Sequence, residues 1–421
     1  MARAMKDSGI EWVGQIPEYW GFDKGKYHFI NNKYVVGVKS ANYDRLALTM
    51  NGVIHRNKED NEGLQPNDFN TYQLLRKNEL VFKLIDLQNV STSRVGLAHD
   101  TGIVSPAYVI LHANKDINPF YAEKFYLMMW YRQIFNALGD AGVRSNLNAG
   151  DLLNVRIPVP PIDEQNKIAE YLDKKCGEID AITAEIQEQI NTLEEYKKSV
   201  ISETVTKGLN PNVPMKDSGI EWIGKIPANW EIHPIYAYFS ERKHKNRLGR
   251  EDNLLSLSYG KIIRKDINTN GGLLPESFNT YNIVEAGDII IRPTDLQNDK
   301  KSLRTGLSHE HGIITSAYIA LRPNKNVNST YYYYLLHTYD IQKVFYNMGN
   351  GVRQSLNYGE FAKLMVFSPS PTEQKEIAEY LDAKCVEIEN AIADKQEQIK
   401  TLEEYKKTII YEYVTGKKEV A

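Results

Sequence analysis

The chain has 421 residues, of which 42% are hydrophobic and 25% charged. That is material for two or three domains with packed cores, and it excludes disordered, collagen-like and low-complexity chains. Net charge is −3, which taken alone argues against a nucleic-acid binder, but the charge is unevenly spread. Residues 163–207 and 373–421 hold 23 acidic against 14 basic side chains, a net of −9, so the remainder carries +6 and suits a polyanionic partner. No run approaches about 18 apolar residues and the opening MARAMKDSGIEW has no signal-peptide core, so a soluble cytoplasmic protein is expected. Cys176, Cys385 and nine scattered histidines form no CxxC pair and no HExxH, which supports neither a disulfide framework nor a metal site.

The chain is written twice. MKDSGIEWVGQIPEYW at 5–20 returns as MKDSGIEWIGKIPANW at 215–230, identical at 12 of 16 positions. Trp12, Trp20, Trp222 and Trp230 occupy matching places and read as core anchors. Short β-rich runs follow at 34–38, 80–85, 104–111 and 155–159, with expected counterparts at 254–259, 288–292, 314–321 and 364–367. Each half then has one helix, at about 119–136 and 331–347, and Asn118-Pro119 is a helix start with proline in its first turn. The islands FNTY, DLQN and GVR recur in the same order in both halves. A period near 210 is too long for a solenoid and identifies a duplicated domain pair.

Residues 164–198 return at 373–407 with 24 of 35 identities. Ile168, Leu172, Cys176, Ile179, Ile182, Ile186, Ile190, Leu193, Tyr196 and Val200 step by three and four, a heptad-like seam. Ile377, Leu381, Cys385, Ile388, Ile392, Ile399, Leu402, Tyr405 and Ile409 repeat it, interrupted at Lys395 and Gln396. Prolines precede each helix, Asp163 and Thr372 are candidate caps, and Gly208 and Gly416 close them. The expected fold is therefore α+β: two duplicated mixed α/β units separated by two long antiparallel coiled-coil helices, pseudo-twofold symmetric. The expected segments are 1–160, 161–210, 211–370 and 371–416, with a tail at 417–421.

Catalytic machinery is not legible. No phosphate-binding GxxxxGK[ST] loop and no glycine-rich nucleoside loop after a strand are present, and most carboxylates sit on the helices at i,i+3 and i,i+4 spacing from lysines. The histidines read as surface or hydrogen-bonded groups. Loop side chains able to contact base edges or phosphates are Gln88, Asn89, Arg94, Arg144 and Asn146 in the first half. Gln297, Asn298, Lys301, Arg304, Arg353 and Gln354 take those places in the second.

PVPPIDEQNKIAEYLD at 158–173 and SPSPTEQKEIAEYLD at 368–382 each end a unit opened by KDSGIEWxGxIPxxW. In this, nearly the whole chain resembles the specificity subunit of type I restriction-modification systems. The resemblance implies two target-recognition domains, each reading half of a bipartite double-stranded DNA sequence, with helices setting their separation. It further implies modification (methyltransferase) subunits, two of them, and restriction (translocase/nuclease) subunits docking on the helices. S-adenosylmethionine, ATP and Mg would belong to those partners, and this chain would be non-catalytic and bind no cofactor. A coiled-coil scaffold or adaptor without DNA function, and a DNA methyltransferase with its own active site, are the alternatives.

Overall fold

The structure, a computed structural model, describes residues 3–420 except 32, 61–67, 88–91, 139–145, 222, 268–274, 276, 295, 297–302 and 349–354. Its contacts divide the chain into two units, 1–187 with 396–421 and 188–395. The division falls inside both long helices, Ile162–Lys207 and Pro371–Val414, where the sequence reading drew the helices as segments of their own. Packing explains the difference. In the first unit Ile168, Leu172 and Ile179 share one buried cluster with Ile409, Ile410 and Val414 and with Tyr121, Phe125 and Ile157. In the second, Ile201 and Val205 share a cluster with Ile377, Leu381, Tyr331, Leu335 and Phe367.

Within each unit the two helical segments run antiparallel. Tyr171 stacks on Tyr413 with ring centroids 4.5 Å apart, and Asp180 pairs with Lys406 at 2.6 Å, in the first. Gln189 meets Lys395 and Lys197 meets Glu389, each at 2.5 Å, in the second. Of the seam residues, Ile168, Leu172, Ile179, Ile186, Ile377, Leu381 and Ile388 are buried, and Leu193 and Leu402 are half-buried. Ile182, Tyr196 and Tyr405 are exposed, because one neighbouring helix covers only part of the stripe. The polar pair that interrupts the second seam coincides with the division between units at Lys395 and Gln396.

The globular part of the first unit holds two four-stranded sheets. One orders Gly52–Arg56, Arg45–Thr49, Gly102–Val104 and Gln73–Leu75, the other Phe29–Asn31, Val109–Ala113, Leu80–Phe82 and Val95–Leu97. The predicted run 104–111 therefore splits at a turn and serves two sheets. In the second unit Phe239–Glu241, Ile319–Pro323, Ile289–Ile291 and Thr305–Leu307 form the counterpart of the second sheet. Leu255–Ser258 pairs with Lys261–Arg264, and Asn282–Val284 with Gly312–Ile314. The run 34–38 is not a strand: Val35 makes a single bridge to Gln73 and the chain turns into the 3-10 helix Gly37–Asn42. The counterpart of Leu255–Ser258 is instead Arg45–Thr49, each being the first strand of a hairpin, with the parallel bridges Arg45 to Ile103 and Leu254 to Ile313.

The helices Pro119–Tyr131 and Ser329–Ile341 pack across the second sheet of each unit and end earlier than their apolar patterns suggest. Asn118 caps the first by accepting from the amides of Phe120 and Tyr121, which accounts for the Asn-Pro pair. Thr372 lies inside the second long helix, and Ser370 does the capping, its hydroxyl accepting from the Glu373 amide at 3.3 Å. Both cysteines are buried and unpaired, and burial pushes both thiols up.

The duplicated Glu-Gln pair has a plain structural reason. Glu164 accepts from the Trp20 indole at 3.0 Å and the Tyr19 hydroxyl at 3.0 Å, tying the opening motif to the helix start. Gln165, fully buried, donates to the carbonyls of Asp116 and Pro160 and accepts from the Asn118 amide. Glu373 holds Trp230 and Gln374 holds Pro369 and Asn328 in the same way. Trp20 and Trp230 are core anchors, Trp12 is half-buried against Phe125, and Trp222 lies outside the described residues.

Candidate nucleic-acid interface

Two strands of the second sheet lead into and out of a loop in each unit. In the first unit Leu80–Phe82 feeds residues 83–94, which return as Val95–Leu97. The Arg94 side chain is fully buried, and its guanidinium donates to the carbonyls of Ile85, at 3.2 Å, and Asp86. Leu84 and Leu87 of the same segment are buried. The chain following 139–145 comes back to the same place: Leu147 donates to the Leu84 carbonyl at 2.9 Å, and the Asn146 side chain accepts from the Asp86 amide at 3.1 Å.

The second unit builds the same frame. Arg304 is fully buried and donates to the carbonyls of Thr294, at 2.5 Å, and Arg292, at 3.5 Å. Leu296 is buried like Leu87, and the Leu356 amide donates to the Pro293 carbonyl at 2.9 Å. Below it the second unit adds Asp340, a buried carboxylate that accepts from the Arg304 amide. Burial raises Asp340 to about 6 despite Lys343 and Arg304 nearby. Burial together with the Arg94 guanidinium lowers the Lys83 ammonium beside the first frame.

Of the expected base readers, Arg94 and Arg304 are buried and hold loop carbonyls. Asn146 is exposed and uses its side-chain oxygen to fix Asp86. Gln88, Asn89, Arg144, Gln297, Asn298, Lys301, Arg353 and Gln354 lie outside the described residues. The recurring island DLQN thus owes its leucine to packing, and the Arg-x-Gly-Leu runs 94–97 and 304–307 owe two residues to the frame. A Cβ at Gly96 would stand 2.7 Å from the Leu48 side chain and one at Gly306 2.6 Å from that of Leu257, so any larger residue there must displace those leucines. Sequence reasoning missed this pattern, although arginine and glycine recurring at one spacing was a visible signal.

Among the described residues no group of three or more His, Cys, Asp or Glu could hold a metal ion. The described histidines mostly find carboxylates: His28 with Asp116, His55 with Asp100, His112 with Glu79, His233 with Glu231 and His311 with Glu251 and Glu285. Among them too, no helix is long and apolar enough to cross a membrane.

The family model for the type I restriction modification DNA specificity domain matches residues 23–192 and 262–401. A Methanocaldococcus jannaschii chain provisionally named the MjaX type I restriction enzyme specificity subunit is 27% identical over 319 residues, 73% of this chain and 70% of that protein. The MjaVIII specificity subunit of the same organism is 25% identical, covering 63% of this chain and 62% of the relative. In fold, the chain resembles one in a solved structure on complex assembly and conformational transition of the type I R-M system, with a TM-score of 0.69 at 14% identity over 95% of this chain and 99% of that one. Neither a scaffold without DNA function nor a self-contained methyltransferase is favoured. With both halves matched by one family, the chain belongs to the type I restriction-modification DNA specificity domains and is a specificity subunit, a non-catalytic component.

Proposed function

We propose that each unit reads one half of a bipartite duplex target through the loop pair carried by its buried-arginine frame. Residues 84–94 with 139–147 serve the first unit, and 293–304 with 349–356 the second. The observation that carries this reading is that both units spend a buried arginine, a buried leucine and a returning backbone hydrogen bond on holding the same two loops together. Loops fixed by a rigid base suit direct readout, where side chains must meet base edges in register. The helical segments set the gap between half-sites and dock modification and restriction subunits. Methyl transfer, ATP-driven translocation and cleavage, with S-adenosylmethionine, ATP and Mg, belong to those partners, in the cytoplasm.

The test exchanges residues 86–94 for 295–304 and maps methylated adenines in DNA modified by the assembled complex. Because the anchoring residues match, the exchanged loop should seat, and one half-site should shift while the other stays. A target indifferent to the exchange would refute these loops as readers.

A further inference from the structure

Two turns outside the loop frames correspond between the units. Val36–Lys39 and Asn246–Gly249 lie 210 residues apart, and each is closed between the same positions: the Lys39 amide donates to the Val36 carbonyl at 3.3 Å, the Gly249 amide to that of Asn246 at 2.9 Å. Each displays an aliphatic side chain at its third position, Val38 at 87% exposure and Leu248 at 74%. Single exposed aliphatics are ordinary. An exposed aliphatic at the matching position of both turns, although their left-handed glycines, Gly37 and Gly249, stand at different positions, is not explained by packing.

The turns are held firmly. The Val36 amide donates to Tyr72 and the Asn246 amide to Tyr281, each at 3.0 Å, beside the bridges Val35 to Gln73 and Lys245 to Asn282. Asn246 is buried and clamps Glu251, donating to its carbonyl at 2.8 Å and accepting from its amide at 3.2 Å. Their surroundings are basic. Lys39 is exposed next to Val38, Lys33 is exposed five residues earlier, and Lys58 crosses to the carbonyls of Ser40 and Ala41. His244, Arg247 and Arg250 are exposed around Leu248, Lys243 is exposed but paired with Glu241 at 2.8 Å, Asp252 is the exposed acid that follows, and Glu251 is already paired to His311. Neither Arg247 nor Arg250 forms an ion pair among the described residues, and sequence reasoning passed over the run RKHKNRLGR that supplies them.

We propose that the two turns are a matched pair of sequence-independent contacts to duplex DNA, the basic side chains on phosphates and the aliphatic tip against sugars and base edges at the groove. The proposal rests on the DNA reading above and adds a different part of the surface to it. Bases differ between half-sites, but phosphates and sugars do not, so a contact shared by both units fits the repeating part of the polymer. An apolar tip between cations is the chemistry that seats in a groove wall or a base step. The second turn carries more charge and grips harder.

The test measures binding of the full chain to a short random-sequence duplex across a salt series. Phosphate contacts set the slope at roughly 0.9 per contact, so Arg247→Ala with Arg250→Ala should lower it by about 2 and weaken low-salt binding about ten- to a hundredfold. Val38→Ser with Leu248→Ser should weaken binding several-fold and leave the slope unchanged. All four positions are exposed, and an unaltered melting curve confirms folding. Wild-type affinity and slope in both variants would overturn the proposal while the DNA reading stands. Variants that bind duplex normally but fail to assemble with modification subunits would assign the turns to protein docking, which also overturns it. A wild-type chain that binds no duplex at any salt would overturn the DNA reading and this proposal with it.

Discussion

Replacing Arg94 by alanine separates a frame residue from a base reader. The guanidinium is fully buried and donates to the carbonyls of Ile85 and Asp86. Truncation removes two charge-assisted hydrogen bonds to partly buried carbonyls, at about 1.5–3 kcal/mol each, and opens a void where the side chain lay. A net loss of about 3 kcal/mol is expected, since water entering the void will satisfy part of the deficit. For a unit of this size that corresponds to a fall of roughly 6–12 °C in its melting temperature. Arg94→Lys keeps one donor group on a shorter reach and should fall between. Calorimetry of the full chain follows stability, and methylation mapping of the assembled complex follows recognition. The frame account requires both to change together, with the second half-site untouched. A variant that melts like the parent yet reads an altered first half-site would show that Arg94 contacts bases and that the buried geometry is wrong.

That distinction also marks where the sequence stopped being legible. The long helices were readable because a three-and-four spacing over some forty residues has one physical interpretation, and the prolines and glycines at their ends fix where they stop. The duplication was readable from identity alone. Arg94 and Arg304 were not, because an arginine in a polar loop carries no local mark of whether its partners are phosphates or the loop's own carbonyls; only the returning chain at Leu147 and Leu356 closes the space over them. Residues 34–38 look like a strand by composition, yet Gly37, at φ 57°, turns the chain after one bridge and leaves Val38 in solvent. Thr372 looks like a cap because threonine often is one, but Ser370 stands two residues earlier with its hydroxyl on the Glu373 amide. A seam periodicity, likewise, tells that a face is buried and says nothing of whether a helix or a sheet covers it.

Three further outcomes are expected. Ile179→Asp with Ile186→Asp places charge at two buried positions, each losing about 1.5–3 kcal/mol of burial before desolvation is counted, and complex assembly followed by size-exclusion chromatography should fail. An assembly of normal size would show that neither position matters to packing. Trp230→Phe removes the 3.1 Å bond to Glu373 and part of a buried ring, so the second unit should lose about 2–3 kcal/mol by calorimetry while the first keeps its transition; equal loss in both would refute the local anchoring. The last outcome concerns pH. Asp340 is raised to about 6 when folded, against an ordinary 3.8, so the folded second unit holds a proton that the unfolded chain has released between those values. Stability therefore falls as pH rises through that window, and above it the ionised buried carboxylate costs roughly 2–3 kcal/mol. His337 runs the other way, since burial lowers it to about 4 and the second unit loses stability as pH falls from 6.5. The two slopes oppose each other in the wild-type chain, so only the difference between Asp340→Asn and wild type isolates the carboxylate. Asparagine keeps an oxygen for the Arg304 amide and cannot ionise. The variant should match the parent near pH 4 and exceed it in melting temperature above pH 6, and a difference that stays flat across the window would mean that Asp340 is not held protonated by its burial.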